Sequence, residues 1–194
     1  ILALVEGLPA GLTLDVDAID RALARRQGGY GRGAGQKIEQ DHAQILSGLR
    51  RCRTIGSPLS ILVANRDVRI DEIEPKSIPR PGHADLAWML KYGTKDLHDI
   101  AVRSSARETA GRVAAGAVAR QLLSIFGIEV AGFVRSIGPL EAPPRGVLQV
   151  ASARRLRDAS VFYTLRPDLD RKLVAIVDRA KKKGDTLGGV VEAR

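Results

Sequence analysis

A chain of 194 residues with 44% apolar content is long enough to bury a core and suits one domain or a large part of one. Its 31 Lys and Arg against 22 Asp and Glu leave a formal charge of +9, which favours an anionic partner; with only 4% aromatics and no interleaving of basic and stacking residues, nucleic acid falls behind small anions. No apolar stretch nears the roughly 18 residues of a membrane span, no signal-peptide pattern opens the chain, and the single Cys52 excludes an intrachain disulfide, so a soluble, cytoplasmic protein is expected.

The opening Ile1 to Val5 reads as a buried strand. Thr13 or Asp15 then caps a helix with Val16, Ile19 and Leu23 at helical spacing, ending near Gly28. Arg26 to Gly35 is too glycine-rich for a regular element and is a loop. Strands follow at Lys37 to Leu46 and Leu59 to Ala64, then an exposed charged connection between Arg66 and Pro81. Ala84 to Lys91 reads as a short helix closed by Gly93. The clearest element is a helix from about Ser105 to Phe126, opened by a Ser105/Glu108 capping box and ended by Gly127. Ile128 to Ile137 reads as a strand, Pro143-Pro144 as a loop, Asp168 to Lys183 as an amphipathic helix and Thr186 to Val191 as a strand. No boundary divides these elements, so residues 1–194 are read as one domain.

Four clusters gather chemistry-bearing residues. Arg26 and Arg32 flank a glycine run in which bare backbone amides and two guanidiniums can grip a phosphate or carboxylate. It is neither a Walker loop nor a dinucleotide fingerprint, and on composition alone a flexible loop or an arginine-glycine nucleic-acid segment fits it as well. Arg80-Pro81-Gly82-His83-Ala84-Asp85 sets a histidine beside an arginine just before a helix, where it can hold or move a proton; an ordinary helix-start histidine fits the same pattern. Arg103-Ser104-Ser105-Ala106-Arg107 opens the long helix, whose free amides and partial positive charge make this the best anion site in the sequence. Asn65-Arg66-Asp67 reads as a surface turn, and His42 and His98 as surface residues. No metal site is expected.

Taken in order, Glu6 to Gly11, Arg26 to Arg32 with Lys37-Ile38-Glu39, Arg53 to Pro58, Asn65-Arg66-Asp67, Arg80 to Asp85, Arg103 to Thr109 and Gly184 to Gly189 resemble the successive blocks of chorismate synthases. The resemblance implies an α+β fold, a sandwich with helices packed between antiparallel sheets, assembled as a homotetramer. It implies a lyase reaction, the 1,4-elimination of phosphate from 5-enolpyruvylshikimate 3-phosphate, assisted by reduced FMN and, in members described as using it, NADPH. Arg26 and Arg32 would bind substrate or NADPH, Arg80 would join the substrate's anion cage, and His83 would be the catalytic residue beside the flavin. Arg103, Ser104 and Ser105 would contact FMN, with Arg107 adding positive charge. The family's opening glycine-glutamate-serine-histidine-glycine stretch and its second half have no counterpart here, so the chain is expected to be a partial family domain.

Overall fold

The computed structural model describes residues 1–31, 40–66, 74–101, 103–144, 146 and 149–194. Its elements are β1 (Leu2–Val5), α1 (Val16–Gln27), β2 (Ala43–Ser47), β3 (Leu49–Arg50), β4 (Arg53–Thr54), β5 (Leu59–Val63), α2 (Asp85–Tyr92), α3 (His98–Ala101), α4 (Thr109–Ile125), β6 (Gly132–Ile137), β7 (Leu140–Glu141), α5 (Val150–Ala159), α6 (Asp170–Lys182) and β8 (Gly189–Ala193). Helices mixed with antiparallel sheets make the chain α+β. They fall into two compact units, one of Ile1–Arg26 with Lys37–Ala119 and one of Gln27–Gln36 with Arg120–Arg194.

In the first unit β5 lies between β1 and β2, antiparallel to both. Side chains alternate across a strand with period two, and in β5 Leu59, Ile61 and Val63 fill the buried face while Ser60 and Leu62 are half-exposed. Helix α1 presents Ile19, Ala22 and Leu23 to the core, and the Asp15 carboxylate accepts the Ala18 amide at 3.1 Å, which makes Asp15 the cap. Helix α4 buries Ala110, Gly111, Ala114, Ala117 and Val118, spaced three or four apart. Small residues there allow close approach to β1: a Cβ on Gly111 would lie 3.1 Å from Ile1 Cγ2.

The expected left-handed stop of α4 is present. Gly127 has φ +71°, its amide donates to Ser124 O and the Ile128 amide donates to Leu123 O, the paired bonds that satisfy a helix's last carbonyls. The capping box forms only in part. Ser105 Oγ accepts the Arg107 amide, but the Glu108 carboxylate faces Arg112 at 3.5 Å, and the first turn, Ala106–Glu108, is a 3-10 turn that precedes the α-helix.

The hairpin of β3 and β4 was not visible in the sequence. Its two-residue turn places Arg51 and Cys52 at φ 48° and 59°, a conformation usually signalled by Asn-Gly or Asp-Gly, and neither pair occurs there. Thr54 anchors the hairpin, accepting the Leu12 amide at 3.0 Å and donating to Pro9 O at 2.5 Å. Gly48, just before it, has φ +80°, and a Cβ there would sit 2.6 Å from both Leu59 Cα and Pro58 O. Gly48→Ala is therefore expected to cost at least about 2 kcal/mol, read as a lower urea midpoint at an unchanged m-value; an unchanged midpoint would refute the close approach.

In the second unit β6 lies between β7 and β8, both antiparallel to it. Ala131, Phe133, Ala153 and Leu165 form one apolar cluster with Val150 against it, which fastens α5 to the sheet. Helix α5 escaped the sequence reading because Val150 and Ala153 are the apolar anchors of an arginine-rich stretch that carries little periodic signal. Helix α6 buries Leu173, and its N-terminal Asp170 accepts Ser160 Oγ at 2.7 Å and the Val161 amide at 2.9 Å. No helix among the described residues is long and apolar enough to cross a membrane.

Candidate functional site

Two arginine-rich arrangements lie in the first unit, and each is organised by one carboxylate. At the first, the Asp41 side chain is fully shielded from solvent and accepts Arg107 Nη1 at 2.5 Å on one oxygen and Arg26 Nη1 at 3.0 Å on the other. Arg26, in the last turn of α1, also donates from Nε to Thr109 Oγ1 at 2.9 Å and from Nη2 to Ala106 O at 3.0 Å. Arg107 donates from Nε to Asn65 Oδ1 at 2.5 Å and from Nη2 to Ala64 O at 2.7 Å. Both guanidiniums are thus directed into the chain by neutral and anionic acceptors, with about a tenth of each side chain exposed. The pair joins the end of α1, the end of β5 and the start of α4.

The second arrangement is built on Asp85, in the first turn of α2, where the helix dipole favours a negative charge. Its carboxylate is fully buried. Oδ2 accepts Arg80 Nε at 2.7 Å and the Arg80 amide at 3.0 Å; Oδ1 accepts Arg80 Nη2 at 2.8 Å and meets His83 Nδ1 at 2.8 Å. Two oxygens offer about four acceptor positions in all, so these contacts use them up. Hydrogen bonding by the Arg80 guanidinium holds the Asp85 carboxyl far below the usual carboxylate range, against the opposing effect of burial. His83 remains one-third exposed and Arg80 half-exposed, so both reach solvent from a buried anchor.

The Arg103-Ser104-Ser105 segment meets this second arrangement. The exposed Arg103 guanidinium lies 5.3 Å over the Trp88 ring of α2, a cation–π contact. The Ser104 hydroxyl is sealed from solvent and close enough to Asp85 to help keep it ionised, yet forms no hydrogen bond of good geometry among the described residues. Ser105 caps the 3-10 turn through Oγ.

The eight residues singled out from the sequence therefore divide. Arg80, His83, Arg103 and Ser104 come together around Asp85 and Trp88, with Ser105 next in the chain. Arg26 and Arg107 come together on Asp41. Arg32 lies outside the described residues, as does the glycine loop from residue 32 onward. His42 is exposed and faces Asp20, whereas His98 is largely buried against Asp96. Asp41, Asp85, Trp88 and Asn65 went unrecognised as organisers. An acid two residues after a histidine at a helix start was the available signal for Asp85; Asp41 was hidden by the strand reading of its segment.

The whole chain, residues 1–194, matches the family model described as chorismate synthase. The chain belongs to the chorismate synthase family. It is 49% identical over 209 aligned positions to the chorismate synthase of Symbiobacterium thermophilum, covering 99% of this chain and 54% of that protein. To the chorismate synthase of Geobacter sulfurreducens it is 47% identical, covering 98% of this chain and 51% of the relative. A solved structure described as a crystal structure of chorismate synthase superposes with a TM-score of 0.77 at 37% identity, over 99% of this chain and 52% of that one. The likeness carries the α+β fold of the chorismate synthase family to this chain. The chain spans about half the length of the relatives it matches.

Proposed function

We propose that these residues form part of a chorismate synthase active site, which eliminates phosphate from 5-enolpyruvylshikimate 3-phosphate with reduced FMN in a soluble, homotetrameric enzyme. The observation that carries the reading is the convergence on Asp85 and Trp88 of two segments twenty residues apart, the first presenting Arg80 and His83 and the second Arg103 with the buried Ser104 hydroxyl. Family membership leaves the nucleic-acid reading of the glycine loop without support.

The donor set suits an anionic cofactor. Ser104 carries a buried hydroxyl beside Asp85, Ser105 accepts an amide and keeps its own proton to donate, and Arg103 supplies positive charge without an ion pair among the described residues. Arg103, Ser104 and Ser105 would therefore hold FMN, and Arg80, aimed by Asp85, would bind an anionic group of the substrate. Reduced FMN, when bound, would lend electron density to the substrate ring as the bond to phosphate breaks and regain it as the ring proton is lost, so no net oxidation would result. His83 holds or moves a proton at Nε2, the ring nitrogen that Asp85 leaves open. Arg26 and Arg107 act through Asp41 by fixing the start of α4; a direct contact of Arg32 with substrate or NADPH follows from the family motif alone.

The test is chorismate formation from 5-enolpyruvylshikimate 3-phosphate and reduced FMN by a polypeptide of the relatives' full length carrying these residues. Arg103→Ala should weaken FMN binding about 10- to 100-fold while changing stability by less than about 0.5 kcal/mol. Ser105→Ala should cost about 1 kcal/mol of stability through the lost cap. Equal FMN affinity in wild type and Arg103→Ala would remove Arg103 from the flavin site.

A further inference from the structure

We propose that Asp85 is the positioning residue of this site: it fixes the tautomer of His83, aims Nε2 outward, and fixes the orientation of Arg80. The inference rests on the reading of His83 and Arg80 as active-site groups. It starts from acceptor chemistry. An ionised carboxylate has no proton to give, so at 2.8 Å from Oδ1 the His83 Nδ1 is the donor. In the neutral imidazole the single N–H is then on Nδ1, and Nε2 is a bare acceptor on a ring that is one-third exposed. A proton taken up at Nε2 gives an imidazolium whose second N–H already points at a carboxylate, so the charged form needs no rearrangement of the ring.

The same carboxylate holds Arg80 by two side-chain bonds and a backbone bond. A guanidinium gripped through Nε and Nη2 has its plane set, and Nη1 is left as the donor facing away from Asp85. The short Pro81-Gly82 turn joins the two, with the His83 amide donating to Arg80 O at 3.3 Å and Gly82 at φ +68°. The Ser104 hydroxyl, sealed from solvent, lies close enough to the same carboxylate to help hold its charge. One buried carboxylate therefore sets two groups that reach solvent, His83 and Arg80, which is why a neutral or longer residue at position 85 should disturb function beyond its effect on folding.

Nitrogen-15 NMR of the histidine-labelled protein, with His42 and His98 replaced by Gln for assignment, tests the tautomer directly. At a pH where His83 is neutral, the expected spectrum has a protonated Nδ1 and a bare Nε2; a proton on Nε2, or the mixture of free histidine, would overturn the proposal. This arm needs no change at Asp85, so it holds even if variants there fold poorly. In the full-length form, Asp85→Asn should lower kcat about 10- to 100-fold, by analogy with other partners that orient functional histidines, and Asp85→Glu should recover part of the loss. A folded Asp85→Asn protein with wild-type kcat and the Nδ1–H tautomer retained would likewise sink it. If His83→Ala left turnover unchanged while the Nδ1–H tautomer was observed, the functional reading of the site would fail and the tautomer assignment would stand.

Discussion

Asp41→Ala is expected to lower the stability of the protein by about 3–5 kcal/mol, measured by urea unfolding. Its carboxylate is fully buried between Arg26 and Arg107, and removing it deprives two guanidiniums, each only about a tenth exposed, of the carboxylate they share. Desolvation has already been incurred for all three groups, so truncating the central one is far worse than never burying them. Asp41→Asn keeps the shape and one acceptor oxygen and should fall between the two. A loss below about 1 kcal/mol for Asp41→Ala would show that the arginines turn to water instead. The same geometry bears on Arg26 and Arg107, which the family motif implies as ligand contacts: with Nε, Nη1 and Nη2 all donating within the chain, their alanine variants should show mainly lost stability.

His83→Ala is expected to do the reverse. A one-third-exposed imidazole whose hydrogen bond is to a carboxylate that Arg80 also holds should be removable at a cost within about 1 kcal/mol. In the full-length form, turnover should fall by about 10²- to 10⁴-fold, the range for a lost general acid or base. Steady-state rates beside a thermal melt separate the two effects. Wild-type turnover, or a large drop in melting temperature, would return His83 to an ordinary helix-start residue. The Asp41 and His83 variants thus probe opposite properties of two clusters built alike: in one the arginines point inward to join three elements, in the other the cation and the imidazole point outward.

Much of the architecture is local in origin and was legible. Helices α1, α2, α4 and α6 carry apolar spacing, acids in the first turn or glycine at the end, and these act within a few residues. Strand β5 shows period two in Leu59, Ile61 and Val63. Where local signals were weak, at the β3–β4 turn without its usual Asn or Gly and in arginine-rich α5, tertiary contacts through Thr54 and the Phe133 cluster decide the structure.

The chemistry divides along the same line. Residue types, their order and their spacing were enough to single out the Arg80–Asp85 and Arg103–Arg107 segments as candidates and to name the family, because motifs are carried by identity. Which arginine faces out and which faces in was not so carried. Arg26 and Arg107 look like Arg80 and Arg103 on the page; only the fold sets Asp41 between the first two, 15 and 66 residues away in sequence, and places the Trp88 ring under Arg103. A guanidinium takes its direction from the nearest acceptor its stem can reach, and that acceptor is fixed by elements meeting in space, which no spacing along the chain encodes.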